Sequence, residues 1–379
     1  MTTRAIPTFS RSDRSSLSQW WWTIDRWNLS AIIILAFAGA ILVLAASPAV
    51  ATRIGLDSFY LVKRHYAMLP LALATMFGIS LLAPKQIRRL GVILFLLFLM
   101  MTMMTLVWGE EIKGATRWVA IGPLSLQPSE FLKPGFAIVA AWMFALQREG
   151  KNVPGNIISI ICYLMVVSLL IKQPDLGQTA IVSAAWFAQF FVAGLPIFWV
   201  AAFLALGIAG LVGAYLMLPH VTERVNQFLD PAKNDTYQID RALEAFQNGG
   251  LYGRGPGEGT VKLVLPDAHS DFVFAVAAEE FGLLISLILV GLFAYIVLRA
   301  LFRSLAERNL FILLAVTGLT VSFGLQALVN MASSLHLMPT KGMTLPFISY
   351  GGSSVIAIGV EIGMILGLTR RRFHGGNEL

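Results

Sequence analysis

Charge is what this chain has least of. Only 13% of its residues are Asp, Glu, Lys or Arg, about half the share found in a soluble domain. Hydrophobic residues make up 57% and the mean hydropathy is +0.73, so the chain folds in lipid. Its one cysteine, Cys162, falls in the middle of an apolar run, which excludes an intrachain disulfide and fits a packing role. Metal-ligand spacings such as HExxH or CxxC are missing, and no glycine run ends in the Gly-Lys-Ser/Thr of a nucleotide loop. The first apolar run starts too late and is too long for a cleavable signal peptide. A net charge of +7 suits anionic membrane lipids and gives no support for nucleic-acid binding.

Uncharged apolar sequence is what the chain has in excess. Runs near the roughly 20 residues needed to span a bilayer recur from end to end. They predict an all-α integral membrane protein with about ten transmembrane helices, at 29–50, 66–83, 90–108, 129–147, 155–171, 176–194, 197–218, 272–298, 309–331 and 350–369. Gly194-Leu195-Pro196 divides the uncharged stretch from Leu176 to Pro219, too long for one crossing. Residues 1–28 are expected to form a polar cytoplasmic tail ending in an interfacial anchor of Trp20, Trp21, Trp22 and Trp27. The membrane domain then runs over 29–371, with a long outer loop at 219–271 between helices seven and eight, and 372–379 is a second tail.

Orientation follows from Lys and Arg in the short loops. A cytoplasmic N-terminus puts Arg4, Arg11, Arg14, Arg26, Lys85, Arg88, Arg89, Arg148, Lys151, Arg299, Arg303, Arg308 and Arg370 to Arg372 inside. The outer short loops then hold only Arg53, Lys63, Arg64, Lys113, Arg117, Lys172 and Lys341. Both termini are therefore expected on the cytoplasmic side, and the polar-rich segments 109–133, 172–178, 219–271 and 336–354 outside, away from ATP.

Each of those segments carries a choice between structure and chemistry. In "KGATRWVAIGPLSLQPSEFLK", Arg117 suits a bidentate grip on phosphate or an anchor to lipid headgroups. Glu130 and Lys133, three apart, share a helix face and read as an intramembrane salt bridge. Asp175 in "QPDLGQT" is equally a turn residue or a site residue. The glycine run of 249–259 suits a gate or a close backbone approach to a sugar or diphosphate. Asp271, at the water–membrane boundary before an apolar run, fits a general base or an ordinary helix N-cap. Glu279 and Glu280 lie deeper in that run, on different faces, so at least one points into the bundle. Lys341 and Ser353, around the glycine-rich start of the last helix, suit an anion, though small residues there also permit close helix packing.

These stretches, "KGATRW…QPSEFLK", "QPDLGQT", "GGLYGRGPGEG…K…LPDAHSDFVFAVAAEEFG" and "PTKGMTLPFISYGGSS", resemble the SEDS family of bacterial shape, elongation, division and sporulation proteins. The polar Arg-bearing tail and the segment from Phe246 to Lys262 bring the chain closer to the division branch than to the elongation branch. The resemblance implies a peptidoglycan glycosyltransferase of the bacterial inner membrane, at the septum, that polymerises lipid II into β-1,4 glycan strands with undecaprenyl diphosphate as leaving group. It places the catalytic role on Asp271, in a His-Ser-Asp-Phe version of the family's His-Thr-Asp-Phe motif, and substrate binding near Arg117, Glu130, Lys133, Asp175, Lys341 and Ser353. It implies lipid II, the undecaprenyl-linked strand and a class B penicillin-binding transpeptidase as partners, and allows a divalent cation (Mg or Mn) as cofactor. A lipid II flippase and an elongation-type polymerase of the same family are the alternatives.

Overall fold

The computed structural model describes residues 15–112, 115–121, 124–194, 197–217, 221–223, 225–226, 237–339 and 342–371. A short helix α1 (Ser16–Thr23) leads into α2 (Arg26–Arg53), α3 (Tyr60–Ser80), α4 (Pro84–Trp108), α5 (Pro128–Arg148), α6 (Gly155–Lys172), α7 (Leu176–Val192) and α8 (Ile197–Met217). The long segment then supplies α9 (Tyr237–Gly249), followed by α10 (Val273–Leu305), α11 (Leu310–Ser334) and α12 (Ser353–Leu368). A helix stands at each of the ten predicted places. Six of them, α2, α4, α5, α6, α10 and α11, are long and apolar enough to cross a membrane, and α7 and α12 are apolar but shorter. The chain is a multi-pass membrane protein.

The sequence reading contains no strand, yet the loop between α4 and α5 forms an antiparallel ribbon of β1 (Glu110–Ile112), β2 (Ala115–Ile121) and β3 (Leu124–Leu126). The β-prone residues Thr116, Trp118 and Val119 favour it, in a run too short to stand out beside the helices.

Helix α5 is the centre of the bundle. It touches α4, α6, α7, α11 and α12, and most of its residues are buried. Pro128 opens it at a position where no helical N–H is needed. Helix α12 lies along α3, and glycines spaced four apart make that possible. A Cβ at Gly359 would fall 2.5 Å from the Ala72 carbonyl oxygen, and one at Gly363 2.8 Å from that of Met76. In lipid, where no hydrophobic force drives helices together, such small-residue faces supply the packing.

Helix α10 breaks at Gly282, whose φ of 78° and ψ of −178° are not helical. A break leaves backbone groups unpaired on both sides, which apolar surroundings do not tolerate. The glycine run supplies the partners. Arg254 and Gly255 donate their N–H groups to the carbonyls of Glu279 (2.9 Å) and Glu280 (3.0 Å), and Gly250 accepts from the N–H of Leu283 at 2.9 Å. Backbone lies on backbone here: a Cβ at Gly249 would fall 1.9 Å from the Ala278 oxygen, and one at Gly253 2.2 Å from that of Glu280.

The two ends of the described chain meet at the far end of α10. Arg371 N donates to Thr23 O at 2.9 Å and Arg370 Nε to Thr23 Oγ1 at 3.0 Å. Trp20, expected at the interface, instead turns inward and donates to Ser80 Oγ at 2.8 Å. Asp25 receives both arms of Arg299, at 2.7 and 2.8 Å. At about 1.5 Å per residue, Arg299 and Asp271 lie on the order of 40 Å apart along α10, at opposite ends of the bundle.

Replacing Gly359 with Leu forces α12 off α3. The expected loss is about 1–3 kcal/mol, the usual cost of overpacking, read as a lower melting temperature of the detergent-purified protein. An unchanged melting temperature contradicts the packing argument.

Candidate active site

Asp271 sits in a turn before α10, with its N–H bonded to Asp267 O at 3.0 Å. The N-cap of α10 is Phe272, and no side chain caps that end, so Asp271 is not spent as the cap. Two other elements hold the turn. Asn330 of α11 donates from Nδ2 to Asp271 O at 3.0 Å and also to Met343 O at 2.5 Å. The loop of 342–352 adds a bond from Tyr350 N to His269 O at 2.9 Å and one from Ser349 Oγ to Ser270 O. Gly342 passes so close that a Cβ there would be 3.5 Å from Asp271 Oδ2. Its φ of 60° also favours glycine. Lys341 lies outside the described residues. Burial pushes the Tyr350 hydroxyl above its usual range, opposed by Arg64, a cation at this end that the sequence reading assigned no role.

A second polar cluster lies across the same loop. Lys133 pairs with Glu130 at 2.7 Å and donates to Gln326 Oε1 at 2.6 Å. Glu130 also accepts from Gln178 Nε2 at 2.5 Å. Gln326 continues the chain to Thr344 O at 3.0 Å, and Thr344 meets Ser354 Oγ at 3.2 Å. Ser353 Oγ, at the first turn of α12, accepts from Gln127 N at 3.2 Å. The salt bridge read from the three-residue spacing is therefore present, within a network joining α5, α7, α11 and the loop before α12.

Arg117 and Asp175 meet at the rim of this cluster. Arg117 Nε donates to Gln173 O at 2.9 Å, another of its nitrogens donates to Pro174 O, and Asp175 Oδ2 lies 3.8 Å from Nε. Asp175 caps α7 by accepting from Gln178 N at 3.2 Å. It therefore shapes the turn, as the turn reading expected, and it also reaches the polar cluster. Its carboxyl is pushed above the ordinary range by burial, which outweighs the nearby Arg117.

Glu279 and Glu280 are both buried and both turn to the glycine run. Glu279 Oε1 accepts from Thr260 N at 2.9 Å and Val261 N at 3.1 Å, with Arg254 3.8 Å away. Glu280 takes Gly257 N at 2.9 Å and pairs with Lys262 at 2.5 Å. These carboxylates clamp the segment that leads to Asp271. Of the glycines expected to gate a site or meet a diphosphate, Gly249, Gly253 and Gly259 pack closely on α10.

Among the described residues no group of three or more His, Cys, Asp or Glu side chains is placed to hold a metal ion.

The profile of the FtsW, RodA and SpoVE family, described as cell cycle proteins, matches residues 26–374. The chain belongs to this family. It is 45% identical over 377 residues, 98% of its length and 96% of the relative's, to the probable peptidoglycan glycosyltransferase FtsW of Caulobacter vibrioides. A protein of the same name from Nitrosococcus halophilus is 35% identical over 90% of this chain and 91% of that one. Among solved structures, a chain reported under the structural coordination of polymerization and crosslinking by a peptidoglycan synthase complex matches with a TM-score of 0.77 and 29% identity, over 92% of this chain and 98% of that one. The rod shape determining protein RodA of Thermus thermophilus matches with a TM-score of 0.67 and 29% identity, covering 92% and 97%.

Several residues that build this family member's site carry no charge and escaped the sequence reading: Gln127, Gln178, Gln326 and Asn330. Amides inside apolar helices are costly unless bonded, and Gln326 and Asn330, four apart, share a face of α11. That was the available signal. Glu361 was also missed; it is buried on α12, near Ser322 and close enough to Lys133 and Glu130 to interact with both.

Lys262→Met leaves Glu280 buried without its counter-charge and is expected to lower stability by about 3–5 kcal/mol, read as a drop in melting temperature. A double variant that also carries Glu280→Leu is expected to recover part of that loss. A double variant no better than the single one contradicts the clamp.

Proposed function

We propose that this chain, a peptidoglycan glycosyltransferase by family, polymerises lipid II into β-1,4 glycan strands for septal wall synthesis, with its active site on the periplasmic side of the inner membrane. One observation carries the reading. Asp271 is a carboxylate at the end of the bundle, in a turn before α10 and not at its N-cap position, held through its backbone by Asn330 and adjoined by the loop of Gly342.

In this reading the growing strand is the donor. Asp271 accepts the proton of the acceptor's 4-hydroxyl as that oxygen attacks C1 of the donor's terminal sugar. The C1–oxygen bond to undecaprenyl diphosphate breaks as the new bond forms on the opposite face, inverting C1. The electron pair of the broken bond stays on the diphosphate oxygen, and undecaprenyl diphosphate leaves as a stable anion, so no nucleotide is consumed. Holding the base fixed before the substrate arrives is what lets a modest carboxylate contribute, by about 10²–10⁴-fold. Arg117 and Lys341 are the cations proposed to grip the diphosphate. Arg117 spends part of its five-donor fork on the Gln173 and Pro174 carbonyls, which fixes the direction of the rest. Glu130, Lys133, Asp175 and Ser353 are proposed to line and shape the substrate cavity through the network described above.

The segments 1–28 and 372–379 are proposed as cytoplasmic tails and 219–271 as the outer loop. Because a similar chain occurs in a structure about a synthase complex coupling polymerization to crosslinking, a class B penicillin-binding transpeptidase is the proposed partner.

The purified protein, incubated in detergent with lipid II and that transpeptidase, is expected to make polymer. Asp271→Asn is expected to lose it by at least about 100-fold while keeping the parent's melting temperature. Substantial polymer from the variant sinks the base role, and none from the folded parent sinks the activity. Asn330→Ala, which loosens the Asp271 turn without removing the base, is expected to lower kcat more than it raises KM.

A further inference from the structure

The far end of α10 carries a feature that glycosyl transfer does not use. A pocket of about 630 Å³ is lined by Tyr295, Leu298, Arg299, Phe302, Arg303, Ala306, Glu307, Thr369 and Arg371. Its cations outnumber its accessible anions. Asp25, itself buried, is bound by both arms of Arg299, and Arg303 shares the same carboxylate at 3.0 Å while donating to Thr369 O at 3.1 Å. Arg371 makes no ion pair among the described residues, yet it and Arg299 lie close enough to Arg303 to repel it. Glu307 is the one other carboxylate in the wall. Three guanidinium groups held near one another, with buried Asp25 shared by two of them and Glu307 in the wall, leave a net positive site that favours an added anion.

The chemistry of the wall narrows the anion. Leu298 and Phe302 are 52% and 69% exposed, and a dissolved ion gains nothing from such surfaces. They suit acyl chains beside a headgroup. The depth also fits, because Asp25 is followed by Arg26, whose guanidinium stacks 4.8 Å over Trp21 and 4.5 Å over Trp22. Tryptophan and arginine at a helix start mark the headgroup level of a bilayer.

We propose that this pocket is a binding site for the phosphate of an anionic phospholipid in the leaflet that the two chain ends face. Arg303 and Arg371 grip the phosphate, since the planar guanidinium fork can meet two phosphate oxygens, and the acyl chains lie along Leu298 and Phe302. An occupant there ties α10 to the end of α12 and to the start of α2, since Arg303 already bonds Thr369 and Asp25.

Native mass spectrometry of the full detergent-purified chain, titrated with phosphatidylglycerol or phosphatidylcholine, tests this independently of activity. The parent is expected to bind phosphatidylglycerol more tightly than phosphatidylcholine. Arg371→Gln is expected to weaken phosphatidylglycerol binding about fivefold, the weight of one cation at an anionic membrane surface. Lys85→Gln, which removes an exposed cation elsewhere, is expected to leave it unchanged. Arg303→Gln repeats the effect from a second direction. The proposal is overturned if the two lipids bind alike, if Arg371→Gln binds as the parent does, or if Lys85→Gln weakens binding equally. It is also overturned if inorganic phosphate at the lipid's concentration displaces it.

Discussion

The structure depends on a hydrogen-bond exchange between a broken helix and a glycine loop. Helix α10 stops being helical at Gly282, and each side of the break is completed by backbone groups of 250–255. In an apolar medium a broken helix survives only if its orphaned groups are taken up by protein. Glycine is required because the strand of backbone that does so lies closer than any Cβ allows. The two carboxylates of Glu279 and Glu280 then fasten the following turn, 257–262, through backbone N–H groups and Lys262. From this anchored turn the chain runs nine residues to Asp271, so the position of that carboxylate is inherited from the break.

A second constraint comes from buried charge. Glu130, Lys133 and Glu361 lie deep among apolar helices, where isolated ions are expensive. Glu130 and Lys133 are tolerable because they pair with each other and take bonds from the amides of Gln178 and Gln326, and Gln326 is held in turn by Thr344 of the loop before α12. A network of this kind is stiff, since each member that moves strands another. It fastens the loop of 342–352 from one side while Asn330 and the turn of 267–271 fasten it from the other. The candidate site is therefore built on crossing ties between helices and the loops that carry Asp271 and Thr344.

Much of the fold was legible in the sequence, because a bilayer imposes one simple test that local composition answers. Ten apolar runs became helices at their expected places, with boundaries displaced by a few residues where Tyr60 and Leu61 begin α3 ahead of Lys63 and Arg64. Asp271, Asp175, Arg117, Glu130 and Lys133 were all visible, since a charge beside or within an apolar run draws attention on energetic grounds alone. The spacing of Glu130 and Lys133 even gave their pairing, which is a property of one helix turn. The uncharged amides did not stand out, because a Gln in an apolar run has no meaning until its partner is known.

Sequence alone thus determined the solvent, the place and order of the ten apolar helices, and which charged residues needed an explanation. Tertiary structure decided which explanation applied. Whether Asp271 caps a helix, whether the glycines meet a ligand or a backbone, and where Glu279 and Glu280 point are questions about contacts between segments far apart in the chain. Such contacts are fixed by packing at ångström distances, and no local pattern of residue types records them.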